Sequence, residues 1–160
     1  MTEIRTVELG IGDQAPYFDL PRDGGGRVRL PDFAGKPFVL FFYPKDDTTA
    51  CTAESVSFTA HAADFEKAGA AILGISPDSV RSHDKFVKKH ALSVPLASDE
   101  EKIAAEAYGV WRQKSMYGRT FMGVVRSTFL IGADGKIVRI WDKVKVGGHA
   151  QDVLAAVKEL

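Results

Sequence analysis

The 160-residue sequence predicts an α/β fold with a mixed central sheet flanked by helices. The apolar run 37–43 (PFVLFFY) has the pattern of a strand buried on both faces. A stretch with helical periodicity follows it, and a second apolar run occupies 71–75 (AILGI). Strand, helix and strand in this order form a crossover unit, which predicts that the two strands are parallel and that the connection is right-handed.

An N-terminal β-hairpin extension is predicted ahead of this unit. The glycine-rich segment 23–26 (DGGG) separates the short runs 17–20 and 28–30, which favours a turn between two strands. A phosphate-binding loop is the alternative for such a segment. Neither a helical pattern nor a Gly-Lys-Ser/Thr motif follows it, so the hairpin is preferred.

Two helices are predicted in the middle of the chain, one after Cys51 that ends near Gly69 and one over 79–90. Their inward-facing side chains are predicted to be Phe58, Ala62, Phe65, Val80, Phe86 and Val87. A short strand near Leu96 comes next. The Ser-x-x-Glu pattern of 98–101 then predicts a capping box, and the helix that it opens should direct inward Ile103, Ala104 and Ala107.

The last third of the chain begins with a longer connection, 109–123. Two strands, 124–131 and 136–141, are predicted on either side of a turn at 133–135. A C-terminal helix should pack through Val153, Leu154, Val157 and Leu160. Together these elements give the layout of a thioredoxin-like domain, and we interpret residues 1–160 as one such domain.

Composition and charge exclude several classes of function. Lys plus Arg and Asp plus Glu both number 21, so the formal net charge is zero and no basic surface for nucleic acid is predicted. No apolar run approaches the roughly 20 residues that span a bilayer. Met1–Arg5 lacks the apolar core of a secretion signal. We therefore expect a cytoplasmic protein without membrane segments.

Cys51 is the single cysteine of the chain, so no intramolecular disulfide can form. An isolated cysteine is most often a small buried apolar residue. Here, however, it comes after a buried strand and a polar loop, in the first turn of a helix. The free N–H groups and the helix dipole at that position favour an anion, so the sequence predicts a stabilised, reactive thiolate.

The four histidines are not expected to form a competing site. His61, His83, His90 and His149 show no metal-ligand spacing, and no cluster of cysteines could complete a zinc site. A cysteine hydrolase would need a histidine beside the thiol, and no hydrolase signature surrounds it. We predict neither a metal nor another cofactor.

The residues around the thiol resemble a known family. Pro44, Thr48 and Cys51 have the Pro-x-x-x-Thr-x-x-Cys spacing that is similar to the active-site signature of the peroxiredoxins. Further similar segments, in family order from about Gly12 to the C-terminus, are 42–48, 51–54, 74–76, 125–131 and 134–135. Together they resemble most the branch called bacterioferritin comigratory protein or peroxiredoxin Q.

The resemblance implies a thiol peroxidase for cell redox homeostasis and antioxidant defence, which reduces hydrogen peroxide or organic hydroperoxides without metal, haem or flavin. It implies that Cys51 attacks the peroxide and is oxidised to a sulfenic acid. Thr48 would hydrogen-bond the peroxide and Pro44 would shield the sulfur from water. Arg126 would hold both the thiolate and a peroxide oxygen, and backbone N–H groups near Ala50 and Cys51 would complete the oxygen site.

Each of these residues also has a simpler explanation. Thr48 can form a local turn, Pro44 can terminate the strand, and Arg126 can be a surface arginine in a strand. Glu54 resembles the glutamate that pairs with the arginine in this family, which makes it a supporting residue. An acidic residue near a helix N-terminus is the alternative explanation for Glu54.

The chain also departs from the family pattern. Many relatives carry a second, resolving cysteine where this chain has Val56, and others carry it near Val87. Thr49-Ala50 replaces the Pro-Gly pair that is common before the thiol. Without a second cysteine the resemblance implies a one-cysteine mechanism in which an external thiol, such as thioredoxin, glutaredoxin or glutathione, reduces the sulfenic acid.

Further expectations concern the oligomeric state and the alternative functions. Relatives of this branch are often monomers, so a monomer is expected rather than a dimer. A disulfide reductase of this fold is excluded because Cys-x-x-Cys would be required and its first position is Thr48. The alternative function is a thiol-based peroxide sensor or redox relay, which oxidises a bound partner protein instead of consuming peroxide catalytically.

Overall fold

The structure is a computed structural model that describes residues 9–160, so the segment Met1–Arg5, which was considered for a secretion signal, lies outside the described residues. The strands are β1 Asp19–Pro21, β2 Arg27–Arg29, β3 Phe38–Phe42, β4 Ala71–Ser76, β5 Leu96–Ser98, β6 Trp111–Met116, β7 Arg119–Val124, β8 Ser127–Ile131 and β9 Ile137–Trp141. The α-helices are α1 Thr49–Ala60, α2 Ala62–Lys67, α3 Val80–His90, α4 Ile103–Ala107 and α5 His149–Lys158.

The predicted α/β fold with a mixed sheet is confirmed. The central sheet has the strand order β5-β4-β3-β8-β9, in which β3 runs parallel to β4 and antiparallel to β8. Every residue of β3 is buried, because alternate side chains enter the two apolar clusters on opposite faces of the sheet. The predicted N-terminal hairpin is also present as β1 and β2, and its turn uses three glycines with positive φ, Gly24, Gly25 and Gly26.

The helical segment after β3 is divided into two helices. His61, with φ −100° and ψ 5°, separates α1 from α2, whereas the sequence predicted one helix to Gly69. The bend keeps Phe58 and Phe65 fully buried on the same cluster. The first turn of α1, which contains Cys51, follows the C-terminal end of the central strand β3 after a short loop.

The predicted capping box at 98–101 is wrong. Ser98 ends β5, and its Oγ donates a hydrogen bond to the carbonyl oxygen of Asp78 at 2.6 Å, so it cannot cap the following helix. Asp99 takes that role, since its carboxylate accepts hydrogen bonds from the N–H groups of Ala104 and Ala105. Ile103 was predicted to face inward and is 63% exposed.

The connection predicted over 109–123 is instead an antiparallel hairpin formed by β6 and β7. The strand predicted over 124–131 is interrupted, because β7 ends at Val124 and β8 begins at Ser127. Val125 leaves the ladder and donates its N–H to the carbonyl oxygen of Val110. Arg126 therefore lies in a break between two strands and not within a strand.

The C-terminal helix packs much as predicted. Val153, Leu154 and Val157 of α5 are buried, but Leu160 lies beyond the end of the helix and is 57% exposed. In the part of the chain that the structure describes, no helix is long and apolar enough to span a membrane.

Candidate active site

Cys51 lies at the third position of α1, and its side chain is 1% exposed. It belongs to the apolar cluster that α1, α2, α3 and α5 form against one face of the sheet. The loop 44–48 carries the chain from β3 into the helix, and Thr48 occupies the N-cap position with an extended backbone. The local sequence pattern alone thus accounts for the position of the thiol at a strand-to-helix junction.

Arg126 reaches this thiol from a distant part of the sequence. It immediately precedes Ser127, which pairs with Phe42 at the end of β3, so the register of the sheet places Arg126 beside that strand end. Nη2 of Arg126 donates to Sγ of Cys51 at 3.2 Å, and Nη1 donates to Oε1 of Glu54 at 2.7 Å. The structure therefore brings together three of the residues that the sequence analysis predicted for the site.

Burial controls the charges of this group. The side chain of Glu54 is 1% exposed and its burial raises the pKa of the carboxyl to about 7, although the charge of Arg126 opposes the rise. Burial alone lowers the pKa of Arg126, but the charges of Glu54 and Cys51 and the hydrogen bonds to them leave it raised. Arg126 is therefore a permanent cation that is held against the sulfur.

Thr48 and Pro44 belong to the loop that precedes α1. The hydroxyl of Thr48 is exposed and donates to the carbonyl oxygen of Lys45 at 2.8 Å, so its hydrogen is engaged within the loop. Pro44 is half-buried directly after the core residue Tyr43. Among residues 9–160 no hydrogen bond joins Thr48 to Cys51, and the catalytic roles of Thr48 and Pro44 stay predictions.

The active-site loop is anchored by Asp46, which is not among the residues predicted for the site. Its carboxylate accepts hydrogen bonds from Tyr43 Oη at 2.5 Å and Ser82 Oγ at 2.8 Å, and it lies 2.7 Å from Nδ1 of His83. Its own N–H donates to the carboxylate of Asp78. Sequence periodicity could not identify Asp46 as an anchor of the loop, because two of its partners, Ser82 and His83, lie 36 and 37 residues further along the chain.

His83 was predicted to lack metal-ligand spacing, yet the fold brings its ring and the carboxylates of Asp46 and Asp78 within 4.8 Å of one another. Hydrogen bonds already engage these groups. Nε2 of His83 lies 3.0 Å from the carbonyl oxygen of Ala97, and Asp78 accepts from Ser76 Oγ at 2.6 Å. We interpret the cluster as a hydrogen-bond network that fixes the loop to α3.

The other histidines also have partners away from the sulfur. His61 lies near Asp64, His90 bonds the carboxylate of Asp47, and His149 bonds the hydroxyl of Thr128. Burial lowers the pKa of His149 to about 4, and the positive charge of Arg126 contributes to this shift. Among residues 9–160 no histidine bonds Cys51, so the structure does not have the pair that a cysteine hydrolase requires.

Comparison with known proteins identifies the family. The AhpC/TSA family matches residues 11–140. A peroxiredoxin Bcp of Xanthomonas campestris is 48% identical over 146 residues, which cover 90% of this chain and 91% of that protein. The chain is a peroxiredoxin of the AhpC/TSA family. A second relative, the peroxiredoxin Bcp of Bacillus subtilis, is 43% identical over 96% of this chain and 98% of its own length.

Solved structures place this peroxiredoxin in the peroxiredoxin Q branch. Xanthomonas campestris peroxiredoxin Q superposes with a TM-score of 0.85 at 46% identity, covering 89% of this chain and 90% of that one. PrxQ of Xylella fastidiosa superposes with a TM-score of 0.91 at 39% identity, covering 96% and 98%. The protein is therefore a thiol-dependent enzyme that acts on peroxides, and its fold is thioredoxin-like.

Both positions predicted for a resolving cysteine lie on helices, Val56 on α1 and Val87 on α3. Val56 is 42% exposed on α1, and Val87 is half-buried on α3. Since Cys51 is the single cysteine of the sequence, this peroxiredoxin cannot form an internal disulfide.

Proposed function

We propose that this peroxiredoxin reduces hydrogen peroxide and organic hydroperoxides through a sulfenic acid at Cys51. The observation that carries the proposal is the 3.2 Å hydrogen bond from Arg126 Nη2 to Cys51 Sγ. The thiolate attacks one peroxide oxygen, so that an S–O bond forms as the O–O bond breaks. The bonding electron pair leaves on the other oxygen, which takes a proton and departs as water or an alcohol. A solved structure of Xanthomonas campestris bacterioferritin comigratory protein, similar to this chain at 46% identity, concerns the alkyl peroxide reduction activity of that protein, which supports the inclusion of organic substrates.

In the proposed mechanism Arg126 stabilises both the attacking sulfur and the leaving oxygen. One donor of its planar guanidinium holds the thiolate, and the positive charge stabilises the oxygen that gains electrons. Glu54 fixes the guanidinium through the bond to Nη1 and acts as a supporting residue. Glu54 is not expected to touch the peroxide.

Thr48 and Pro44 complete the proposed peroxide site. Because the hydroxyl of Thr48 donates to the carbonyl oxygen of Lys45, its own oxygen is free to accept a hydrogen bond from the O–H of a peroxide. Pro44 limits the access of water to the sulfur. The N–H groups near Ala50 and Cys51, at the N-terminus of α1, are proposed to bind the second peroxide oxygen.

Regeneration is proposed to follow a one-cysteine mechanism. An external thiol, supplied by thioredoxin, glutaredoxin or glutathione, attacks the sulfenic acid, and a mixed disulfide forms as water leaves. The 1% exposure of Cys51 means that the first turn of α1 has to open before a thiol reaches the sulfur. The same burial opposes a disulfide between the Cys51 residues of two chains. The monomer is proposed on the resemblance to the peroxiredoxin Q branch. A constant supply of reduced thiols is typical of the cytoplasm, where we place the protein.

The test is the intact mass of the reduced protein after one equivalent of hydrogen peroxide, with and without a sulfenic-acid trap. We expect a trap adduct within seconds in the wild type and none in Cys51→Ser. If Cys51 reacts no faster than free cysteine, the proposed peroxidase function is wrong. A sensor or relay would form the adduct but oxidise a partner protein without sustained peroxide consumption in the presence of thioredoxin or small thiols.

A further inference from the structure

A cavity of about 310 Å³ lies between the active-site loop and α3. Asp46 and Asp47 form its wall on the loop side, and Arg81, Lys85 and Lys89 line it from α3. The volume is at the lower end of the range of sites for small molecules.

The charges around this cavity are unevenly paired. Arg81, Lys85 and Lys89 follow one another at intervals of four residues and thus share one face of α3. Nζ of Lys89 lies 2.7 Å from a carboxylate oxygen of Asp47. Among residues 9–160, neither Arg81 nor Lys85 has an ion-pair partner. The carboxylate of Asp46 is directed into the protein, where its side chain is 4% exposed. His90 bonds the other carboxylate oxygen of Asp47 at 2.9 Å. The cavity therefore presents two unpaired cations, Arg81 and Lys85, and its carboxylates are already engaged.

The cavity is close to the catalytic thiol along the chain. Asp47 precedes Cys51 by four residues. Thr48 is the N-cap of α1, so the last three of the four residue-to-residue intervals lie in the first turn of the helix. At about 1.5 Å per helical residue and at most about 3.6 Å per extended residue, the two backbones lie within roughly 10 Å. This span is about the length of an extended tripeptide. A ligand that lies beside Asp47 in the cavity is therefore within about one tripeptide length of the backbone at Cys51.

We propose that the cavity binds the reductant, a small thiol that carries carboxylates, of the chemical class of glutathione. Arg81 and Lys85 bind its carboxylates. This inference rests on the proposed one-cysteine mechanism, in which the chain itself supplies no second thiol. The cavity compensates by holding an external thiol beside the sulfenic acid and so increasing its local concentration.

The chemical steps balance without another oxidant. The sulfur of the bound thiol attacks Sγ of the Cys51 sulfenic acid, an S–S bond forms, the S–O bond breaks, and the hydroxyl leaves as water after it takes a proton. A second thiol of the same class then attacks the mixed disulfide. The Cys51 thiol is released, and the two small molecules leave as their disulfide.

The first test measures reduction separately from oxidation. Cys51 is converted to the sulfenic acid with one equivalent of hydrogen peroxide and then mixed with glutathione or with 2-mercaptoethanol, an uncharged thiol. We expect Arg81→Gln/Lys85→Gln to slow the reaction with glutathione about tenfold, because two surface charges contribute roughly one factor of ten together. Reaction with 2-mercaptoethanol and the preceding oxidation by peroxide should change less than about twofold, since neither reagent is charged.

A charge-matched control is available on neighbouring helices. Lys67→Gln/Lys88→Gln also removes two exposed positive charges, but neither residue lines the cavity. This variant should reduce with glutathione at the wild-type rate. If both double variants slow equally, or if glutathione and 2-mercaptoethanol slow equally in Arg81→Gln/Lys85→Gln, the cavity does not recognise the reductant and the inference is wrong.

A second test does not depend on peroxide chemistry. S-methylglutathione, in which the thiol is blocked, should shift the amide signals of α3 and of Asp46 and Asp47 in an NMR titration, and Arg81→Gln/Lys85→Gln should remove these shifts. An absence of shifts in the wild type overturns the inference even if Cys51 proves to be peroxidatic. Conversely, binding without oxidation of Cys51 would uphold the site and contradict the proposed function.

An anionic hydroperoxide shares the charge that the cavity would recognise. Oxidation of Cys51 by a fatty-acid hydroperoxide is therefore compared with oxidation by hydrogen peroxide in the same variants. Equal rates in the wild type and in Arg81→Gln/Lys85→Gln support a reductant site. A selective loss of the reaction with the fatty-acid hydroperoxide would make the cavity a substrate site and overturn the inference.

Discussion

Arg126 and Cys51 lie 75 residues apart in the sequence, yet Nη2 of the arginine is 3.2 Å from Sγ of the cysteine. The same guanidinium binds Glu54 on the turn of α1 that follows the thiol. One cation thus connects the end of the sheet, the sulfur and a buried carboxylate.

Arg126→Met should slow sulfenic-acid formation about 100-fold, because a preorganised cationic donor at a reacting centre contributes on that order. The measurement is the rate of trap-adduct formation after addition of hydrogen peroxide. Arg112→Met is the matched control, since this arginine pairs with Asp142 and does not contact the sulfur. A similar rate in both variants would remove Arg126 from the proposed site.

Thr48→Val should slow the same reaction about tenfold or more, whereas Thr48→Ser should retain most of the rate, because only the hydroxyl is proposed to bind the peroxide. Thr49→Val provides the control, since Thr49 is the next residue and is also exposed. If the Thr48 and Thr49 valine variants behave alike, the effect comes from the loop and not from a hydrogen bond to substrate.

Glu54→Gln should remove a pH dependence of stability. The folded pKa of Glu54, about 7, lies above its ordinary value of 4.5, so the native state binds this proton more tightly than the unfolded state. The resulting stabilisation is fully present below pH 4.5 and is lost as the pH rises through 7. Over this window the wild type should lose about 3 kcal/mol relative to the variant, at about 1.4 kcal/mol per pKa unit.

Denaturant unfolding of both proteins at pH 4.5, 6 and 8, values that bracket the shift, measures this difference. The other carboxyl groups titrate equally in the two proteins, so their contributions cancel. A difference between the two proteins that does not change with pH would show that the pKa of Glu54 is the same in the folded and unfolded states.

His83→Ala should destabilise the protein by about 2–4 kcal/mol, because it leaves the buried carboxylate of Asp46 without one of its partners. His90→Ala, on the same helix, removes a surface contact to Asp47 and should change the free energy of unfolding by less than about 1 kcal/mol. Denaturant unfolding of the His83→Ala and His90→Ala variants measures the two free energies of unfolding. Equal effects would mean that the network around Asp46 does not anchor the loop.

Val56→Cys should give the oxidised protein an internal disulfide and protect Cys51 from overoxidation, since the introduced thiol can attack the sulfenic acid. Five residues along a helix correspond to about 7.5 Å of rise, beyond the roughly 7 Å limit between Cα atoms in a disulfide. The first turns of α1 must therefore unwind.

Mass spectrometry after excess hydrogen peroxide should show the disulfide in Val56→Cys and sulfinic acid in both the wild type and Val56→Ser. Sulfinic acid at wild-type levels in Val56→Cys would mean that α1 stays folded around the oxidised sulfur.

The sequence alone determined the features that depend on neighbouring residues. The apolar run 37–43 specified the buried strand β3, because both of its faces are apolar. The polar loop and the helical pattern after it placed Cys51 in the first turn of a helix, and the spacing of Pro44, Thr48 and Cys51 indicated the family. These signals lie within about one strand, one loop and one helical turn, so no tertiary information was needed.

Only the tertiary structure decided the contacts between distant segments. The pairing of Ser127 with Phe42 places Arg126 at the sulfur, and a one-residue change of register would direct it elsewhere. The burial of Asp46 against His83 and the exposure of Ile103 likewise depend on how helices dock on the sheet. Periodicity reports which side chains share a face but not which partner that face will meet, and that choice rests on long-range packing and backbone pairing.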